Sequence, residues 1–164
     1  MGWYMMALVD VLDYLPANYK RRTELIAILN RLSTALIKFQ DVKEGVWWQV
    51  TDKAGAALNY LESSSSAMFL YALSKAVNKN YISKNFSSAI IKAYTGIIKN
   101  FVVVDKDDTV HYTKAVAGAG LGGTPYRDGS YHYYVKEPQR DDDLKAIGPF
   151  IQACIEYERL AKKK

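Results

Sequence analysis

The sequence predicts an all-α fold: a partial α/α toroid of stacked helix hairpins, with short β-hairpins in the loops. Three observations lead there. Apolar residues recur at three- and four-residue steps in five separate stretches. Those stretches alternate between apolar nearly all round and apolar on one side, the pattern of an inner and an outer ring. A unit of helix, loop, helix and hairpin also echoes itself weakly: Phe39, Asp41, Gly45, Val46, Trp47 and Trp48 return about 62 residues later as Phe101, Asp105, Asp108, Val110, His111 and Tyr112. Such units cannot bury both helix faces alone, so they stack.

The first helix is expected from about Trp3 to Leu15, where Pro16 stops it. Leu25, Ile28, Leu29, Leu32, Leu36 and Phe39 form the stripe of a second, amphipathic helix ending near Asp41. Ser63 to Ser66 offer hydroxyl caps to a third helix carrying Ala67, Met68, Leu70, Tyr71, Leu73 and Val77, with few charges before Lys75. That composition suits a helix buried nearly all round. Ala89, Ile90, Ala93, Tyr94, Ile97, Ile98 and Phe101 make the fourth helix, more one-sided. Ile147, Phe150, Ile151, Cys154, Ile155 and Leu160 make the fifth, with Pro149 suited to its first turn.

Val46 to Val50 and Phe101 to Val104 are short β-branched and aromatic runs, the second followed by the turn-like Asp105 to Asp108, and both read as small strands or hairpins. Lys114 to Lys145 is rich in Gly and Tyr without a sustained period and reads as a long, functional loop. The expectation is one domain over residues 1–164 holding about two and a half units. A closed ring needs more, so inner-ring surface should stay exposed unless another chain covers it, and self-association as a homo-oligomer follows. Met1-Gly2-Trp3-Tyr4 opens with bulky core-type aromatics instead of a basic leader, as if in mid-fold.

Composition narrows the function classes. The apolar stretches are broken by charge before the roughly 18 residues a membrane span needs, so no membrane partner is expected. The net charge of +5 owes part of its value to Lys162-Lys163-Lys164, and the rest alternates with acids along the helices, which argues against nucleic acid. Cys154 is the single cysteine and reads as a packed thiol. His111 and His132 lie apart, no paired-Cys or His-x-x-x-His spacing occurs, and no metal or cofactor is expected. Gly118 to Gly123 lacks the strand, helix and Lys-Ser/Thr ending of a phosphate loop, and Ser63 to Ser66 lack a Gly-x-Ser-x-Gly elbow.

The mouth of such a ring is lined by the loops preceding its inner helices. These carry Trp3, Trp47, Trp48, Glu62, Tyr126 and Arg127, with His132 and Tyr131, Tyr133 and Tyr134 beside the last two. Flat aromatic faces suit the C–H faces of sugars, short polar groups suit their hydroxyls, and an arginine takes a carboxylate bidentately. Trp3 and Trp47 read equally as core residues, and the Tyr cluster as loop packing. Asp10 and Asp13 lie three apart on a helix and could face one site, but read rather as helix-paired or solvated positions near a helix end. Glu62 reads either as a site acid or as an acid complementing a helix N-terminus. Asp141-Asp142-Asp143 reads as a solvated run with one helix-capping member, and no spacing marks the two carboxylates of an ordinary glycosidase.

In order along the chain, Gly2-Trp3-Tyr4-Met5-Met6-Ala7-Leu8-Val9-Asp10-Val11-Leu12, Gly45-Val46-Trp47-Trp48-Gln49-Val50, Asn59 to Phe69, Gly122 to Tyr131, Tyr133-Tyr134 and Gly148-Pro149-Phe150 resemble the unsaturated rhamnogalacturonyl and unsaturated glucuronyl hydrolases, glycoside hydrolase families 105 and 88. The resemblance covers nearly the whole chain and corresponds to the C-terminal half of that family. It implies a six-hairpin (α/α)6 barrel that acts on pectin-derived acidic oligosaccharides and releases a terminal unsaturated uronic acid. One aspartate there protonates the enol-ether double bond and activates water, with no metal or other cofactor. That aspartate lies upstream of the Gly-Trp segment, before Met1, so no catalytic residue maps onto this chain, and the first half of the barrel is expected to lie outside it. The resemblance leaves Trp3, Trp47, Trp48, Glu62, Tyr126 and Arg127 as substrate-binding candidates and a cytoplasmic setting by analogy. The alternative is a non-catalytic module that binds acidic oligosaccharide or pairs with another half-barrel.

Overall fold

The computed structural model describes residues 1–162, so Lys163 and Lys164 of the terminal basic run lie outside the described residues. The elements are α1 (Gly2–Tyr14), α2 (Arg22–Lys38), α3 (Ser63–Asn78), a 3-10 turn (Lys84–Phe86), α4 (Ser87–Phe101), β1 (Val102–Val104), β2 (Val110–Tyr112), β3 (Ala115–Val116), α5 (Tyr131–Lys136), β4 (Gln139–Arg140) and α6 (Leu144–Ala161).

α3 is the centre of the molecule. It packs against α1, α4 and α6, and of its residues only Ser65 and Asn78 are not buried. Its alanines and leucines face neighbours on every side, as the shortage of charge before Lys75 implies. α2 and α4 are one-sided: α2 buries Leu29, Ser33 and Leu36, and α4 buries Ile90, Ala93, Gly96, Ile97 and Phe101. α2 packs on α1, and α4 on α3 and α6. Gly96 lets α4 approach the loop before Trp47, since a Cβ there would collide with the Glu44 carbonyl and crowd Val46.

Local chemistry sets the ends. α1 stops at Tyr14 before Pro16, and the Arg22 guanidinium donates to the free carbonyls of Leu12 and Leu15 at 2.6 and 3.0 Å. Lys75, nearly buried on α3, joins α1 through Asp10 at 2.7 Å and Asp13 at 2.9 Å, while Tyr71 and Tyr81 donate to the same two carboxylates. Burial disfavours the Lys75 ammonium, but the hydrogen bonds with Asp10, Asp13 and Tyr71 outweigh it and raise its pKa. Burial and the bond to Asp10 push Tyr71 up to about 12. Asp10 and Asp13 are thus helix-paired.

Several elements differ from the sequence-based expectation. Val46 to Val50 form no strand, only a single bridge between Trp48 and Leu61. The Trp47 N–H is taken by the Ser66 hydroxyl at 3.1 Å, which interrupts a ladder. Phe101 completes α4, and only Val102 to Val104 enter the second hairpin, antiparallel to Val110 to Tyr112. The segment from Lys114 to Lys145 is built rather than irregular, containing the β3–β4 pair, α5 and the start of α6. Ser130 caps α5 by accepting from the Tyr133 N–H. α6 begins at Leu144, capped by Asp143, so Pro149 lies inside the helix instead of in its first turn and leaves the Lys145 carbonyl without its usual donor. Glu62, not a serine, caps α3.

The acidic run is consumed by these contacts. Asp141 accepts from the Lys114 N–H, Asp143 from the Lys145 N–H, and Asp142 from the Tyr112 N–H at 2.9 Å while contacting His111 Nδ1 at 2.6 Å. The hydrogen bond to Asp142 raises the His111 pKa, and His111 in turn lowers that of Asp142. A raised histidine pKa gives stability that is present below the unfolded value of about 6.5 and lost as pH rises through the folded value. The contact between hairpin and α6 leader should therefore hold at pH 6 and loosen in alkali. An NMR titration should find the His111 midpoint above 6.5, falling back in Asp142→Asn. An unshifted midpoint in the wild type would sink this account.

Candidate functional site

At the N-terminal end of α3 six segments surround an open cavity of about 330 Å³. α1 contributes Gly2 and Trp3; the loop after Trp48 contributes Gln49 and Thr51; the start of α3 contributes Glu62, Ser64, Ser65, Met68 and Phe69. Val116, Gly118 and Ala119 come from β3 and the turn after it, Tyr134 from α5, and Lys145 from α6. The first turns of α1, α3 and α6 all border the space, as expected for loops that precede inner helices. Gly2 brings α1 close: a Cβ there would strike the Met68 side chain, so a larger residue would lift Trp3 from its position.

Glu62 is the most constrained side chain here, only 1% exposed. One carboxylate oxygen accepts from the Ser64 N–H (3.0 Å), the Ser64 hydroxyl (2.7 Å) and the Val116 N–H (3.0 Å); the other accepts from the Ser65 N–H (2.7 Å) and hydroxyl (2.5 Å). Five donors replace the water lost on burial, and two of them are first-turn amides carrying the positive end of the helix. A carboxylate held this way is a clamp; its lone pairs are occupied.

The sequence candidates divide. Trp3, 58% exposed, and Glu62 reach the cavity. Trp47 does not: it is fully buried, edge-on to Phe69 with centroids 5.3 Å apart, its indole N–H donating to the Leu36 carbonyl. Trp48 donates instead to Asp41 at 2.8 Å, completing an Asx turn in which Asp41 also accepts from the Lys43 and Glu44 N–H groups. Tyr126 is 79% exposed on the outer loop, and Arg127 folds back to donate to the Gly122 carbonyl at 2.9 Å, closing the glycine segment on itself. Neither lines the cavity: the turn between Gly122 and Arg127 closes on itself through their bridge. Tyr131 donates to the Ala57 carbonyl, and Tyr133 accepts from the Gly120 N–H.

Gln49, Thr51 and Lys145 were not among the candidates. Gln49 had only its place in the Gly45 to Val50 motif, and Thr51 no signal beyond following it. Lys145 had one: a cation in the first turn of a helix sits at the wrong end of the dipole, an anomaly visible once Asp143 is recognised as the cap. Among the described residues no group of three or more His, Cys, Asp or Glu side chains is placed to hold a metal. What the walls present is the aromatic faces of Trp3 and Tyr134, hydroxyls and a side-chain amide, one cationic side chain, and one carboxylate already saturated with donors.

The substitution Glu62→Gln keeps the volume but turns one acceptor into an N–H facing serine donors. It should cost about 1–3 kcal/mol in urea unfolding, the penalty for stranding buried polar groups. A loss under about 0.5 kcal/mol would show that these bonds do not clamp the site.

The chain matches the family model described as Glycosyl Hydrolase Family 88 over residues 1–161. It is 38% identical over 168 positions to Protein Atu3128 of Agrobacterium fabrum (strain C58 / ATCC 33970), covering 99% of this chain and 71% of that protein. A C. acetobutylicum ATCC 824 glycoside hydrolase from family 105 superposes with a TM-score of 0.93 at 44% identity, covering 96% of this chain and 44% of that one. A possible member of the GH105 family from Salmonella enterica serovar Paratyphi A superposes at 0.77 with 25% identity, covering 99% of this chain and 39% of that one. This chain thus spans less than half the length of the solved structures it resembles. The ordered motifs from Gly2-Trp3 to Gly148-Pro149, the layered helices and the match over residues 1–161 agree, and the chain belongs to glycosyl hydrolase family 88.

Proposed function

We propose that these residues form one wall of the sugar site of an unsaturated uronyl hydrolase of the rhamnogalacturonyl type, within a single partial (α/α)6-toroid domain over residues 1–164. The observation that carries the reading is the cavity at the start of α3, where Trp3 and Tyr134 supply ring faces and Gln49, Thr51, Ser64 and Ser65 supply hydrogen-bonding groups. Aromatic faces beside convergent polar groups suit a pyranose. The reaction would be hydration of the enol ether of a terminal unsaturated uronic acid. A proton adds to one alkene carbon, the hydroxide part of water adds to the other, and collapse of the hydrate releases the neighbouring sugar.

The proton donor is the part these residues do not supply. Among the described residues Glu62 is the only side-chain carboxylate on the cavity wall, and both of its oxygens accept hydrogen bonds. Asp10 and Asp13 are tied to Lys75, about thirteen residues beyond Glu62 along α3 and so roughly 20 Å away at 1.5 Å per residue. The division of labour we infer is binding here and acid catalysis by an aspartate outside this stretch. The same reading gives an occupant to the exposed Tyr4, Val11 and Tyr14 of α1 and Ile151 and Ile155 of α6: the neighbouring inner helices of the ring. The engaged state of Glu62 favours, for the chain taken alone, a binding module over a self-sufficient hydrolase.

Two measurements on the purified chain test this. Incubated with an unsaturated galacturonyl-rhamnose disaccharide, the chain alone should bind it, seen as tryptophan fluorescence quenching, without loss of the enol-ether ultraviolet absorbance. Trp3→Ala should weaken binding about tenfold, equivalent to ~1.4 kcal/mol. Absorbance loss at an enzymatic rate would mean that a carboxylate within these residues, Glu62 or Asp10 first, acts as the acid. A folded chain that binds nothing would overturn the sugar-site reading.

A further inference from the structure

The cavity wall carries two charged side chains of opposite sign, Glu62 and Lys145, and a single residue of β3 holds both. Ala115 pairs with Arg140 across the β3–β4 ladder, and the Ala117 N–H donates to the Pro138 carbonyl, so residues 115 and 117 direct their backbone groups toward β4. In an antiparallel strand the intervening residue directs its N–H and C=O the other way. The Val116 N–H accordingly meets Glu62, at 3.0 Å, and the Val116 carbonyl accepts from the Lys145 ammonium. The carboxylate and the ammonium stand on the same strand edge, yet no ion pair joins them among the described residues, whose Lys145 partner is Asp143 at 3.3 Å. The Glu62 oxygens are engaged by its own five donors and make no ion pair with Lys145.

We propose that Lys145 receives the carboxylate of the acidic sugar; the proposal rests on the sugar-site reading above. An ammonium has three N–H groups. One goes to Val116 and one toward Asp143, and the third remains for a ligand in the cavity that Lys145 lines. Asp143 sets the geometry: its Oδ1 accepts from the Lys145 backbone N–H at 2.9 Å and its Oδ2 faces the ammonium, so cap and side chain are fixed together. The backbone hydrogen bond from Lys145 lowers the Asp143 pKa, which keeps it anionic and offsets the cost of a cation at the positive end of α6. Ser64 and Ser65 donate their hydroxyl protons to Glu62 and therefore turn lone pairs outward as acceptors. A ligand with a carboxylate at one end and hydroxyl donors along its edge matches both features. Arg127, the cation named by sequence, is held by the Gly122 carbonyl outside the cavity.

The test compares the unsaturated galacturonyl-rhamnose disaccharide with its methyl ester, which keeps the ring and hydroxyls but masks the charge, by isothermal titration into the full chain. The wild type should prefer the acid about tenfold or more, in the range of a hydrogen bond to a charged group. In Lys145→Met the preference should vanish while ester binding persists, and Lys145→Arg should restore part of it. Equal binding of acid and ester by the wild type would overturn the assignment and leave the sugar-site reading intact, and this comparison needs no variant to fold. An unchanged preference in a folded K145M would overturn it as well. Binding of neither ligand would remove the underlying reading and the assignment with it.

Discussion

A carboxylate can be taken out of water only where donors surround it, and Glu62 meets that demand with groups from two separate parts of the chain. Its side chain gathers both amides and hydroxyls of Ser64 and Ser65 and the Val116 N–H. Its own N–H donates to the Trp47 carbonyl at 2.9 Å, and its carbonyl accepts from the Ser66 hydroxyl, which in turn accepts from the Trp47 N–H. The loop through Trp47, the start of α3 and strand β3 therefore share one junction. The cavity wall inherits its shape from it, since Gln49, Ser64, Ser65 and Val116 all lie within a few residues of these bonds.

Aromatic residues sort around that junction by whether a partner encloses them. Trp47 packs on Phe69, and Tyr112 lies edge-on to Phe101 and stacked on Phe150 at 4.5 Å while its hydroxyl reaches the Ser63 carbonyl. Both close the core above α3, one from each echo of the repeat. Trp3 and Tyr134 are not buried, Tyr134 keeping only Tyr133 edge-on at 5.2 Å, and both line the cavity. The acids sort the same way: Asp10 and Asp13 hold Lys75 at the far end of α3, Asp41 and Asp143 organise turns, and Asp142 fixes the hairpin through His111. Each of these carboxylates has a structural use, and none is left as a spaced pair of the ordinary glycosidase kind.

The long helices were legible because their burial is periodic along the chain. The stripe of α2 and the charge-poor run of α3 each report one geometry repeated over four turns or more, and the motifs from Gly2 to Phe150 report the family. The short elements were not. α5 has six residues, too few for a period, and β3 and β4 have two each, so their existence depends on Ala115 and Val116 meeting residues more than twenty positions away. The start of α6 was missed for the opposite reason: Pro149 is a strong local signal, and the Asp143 cap and the packing of α6 on α3 override it.

Sequence by itself determined the class of fold, the layering of helices and the membership of the family, because periodicity and motif order are properties of the chain read along one dimension. It also named Trp3 and Glu62. Which aromatic is core and which is wall, and which cation stands in the cavity, were decided only by tertiary structure. Trp47 and Trp48 are neighbours in sequence but turn to Leu36 and Asp41, and Arg127 is held within its own turn by Gly122 while Lys145 meets Val116 at the cavity. The direction of a side chain depends on the backbone groups that distant segments bring to it, and those meet only in the folded chain.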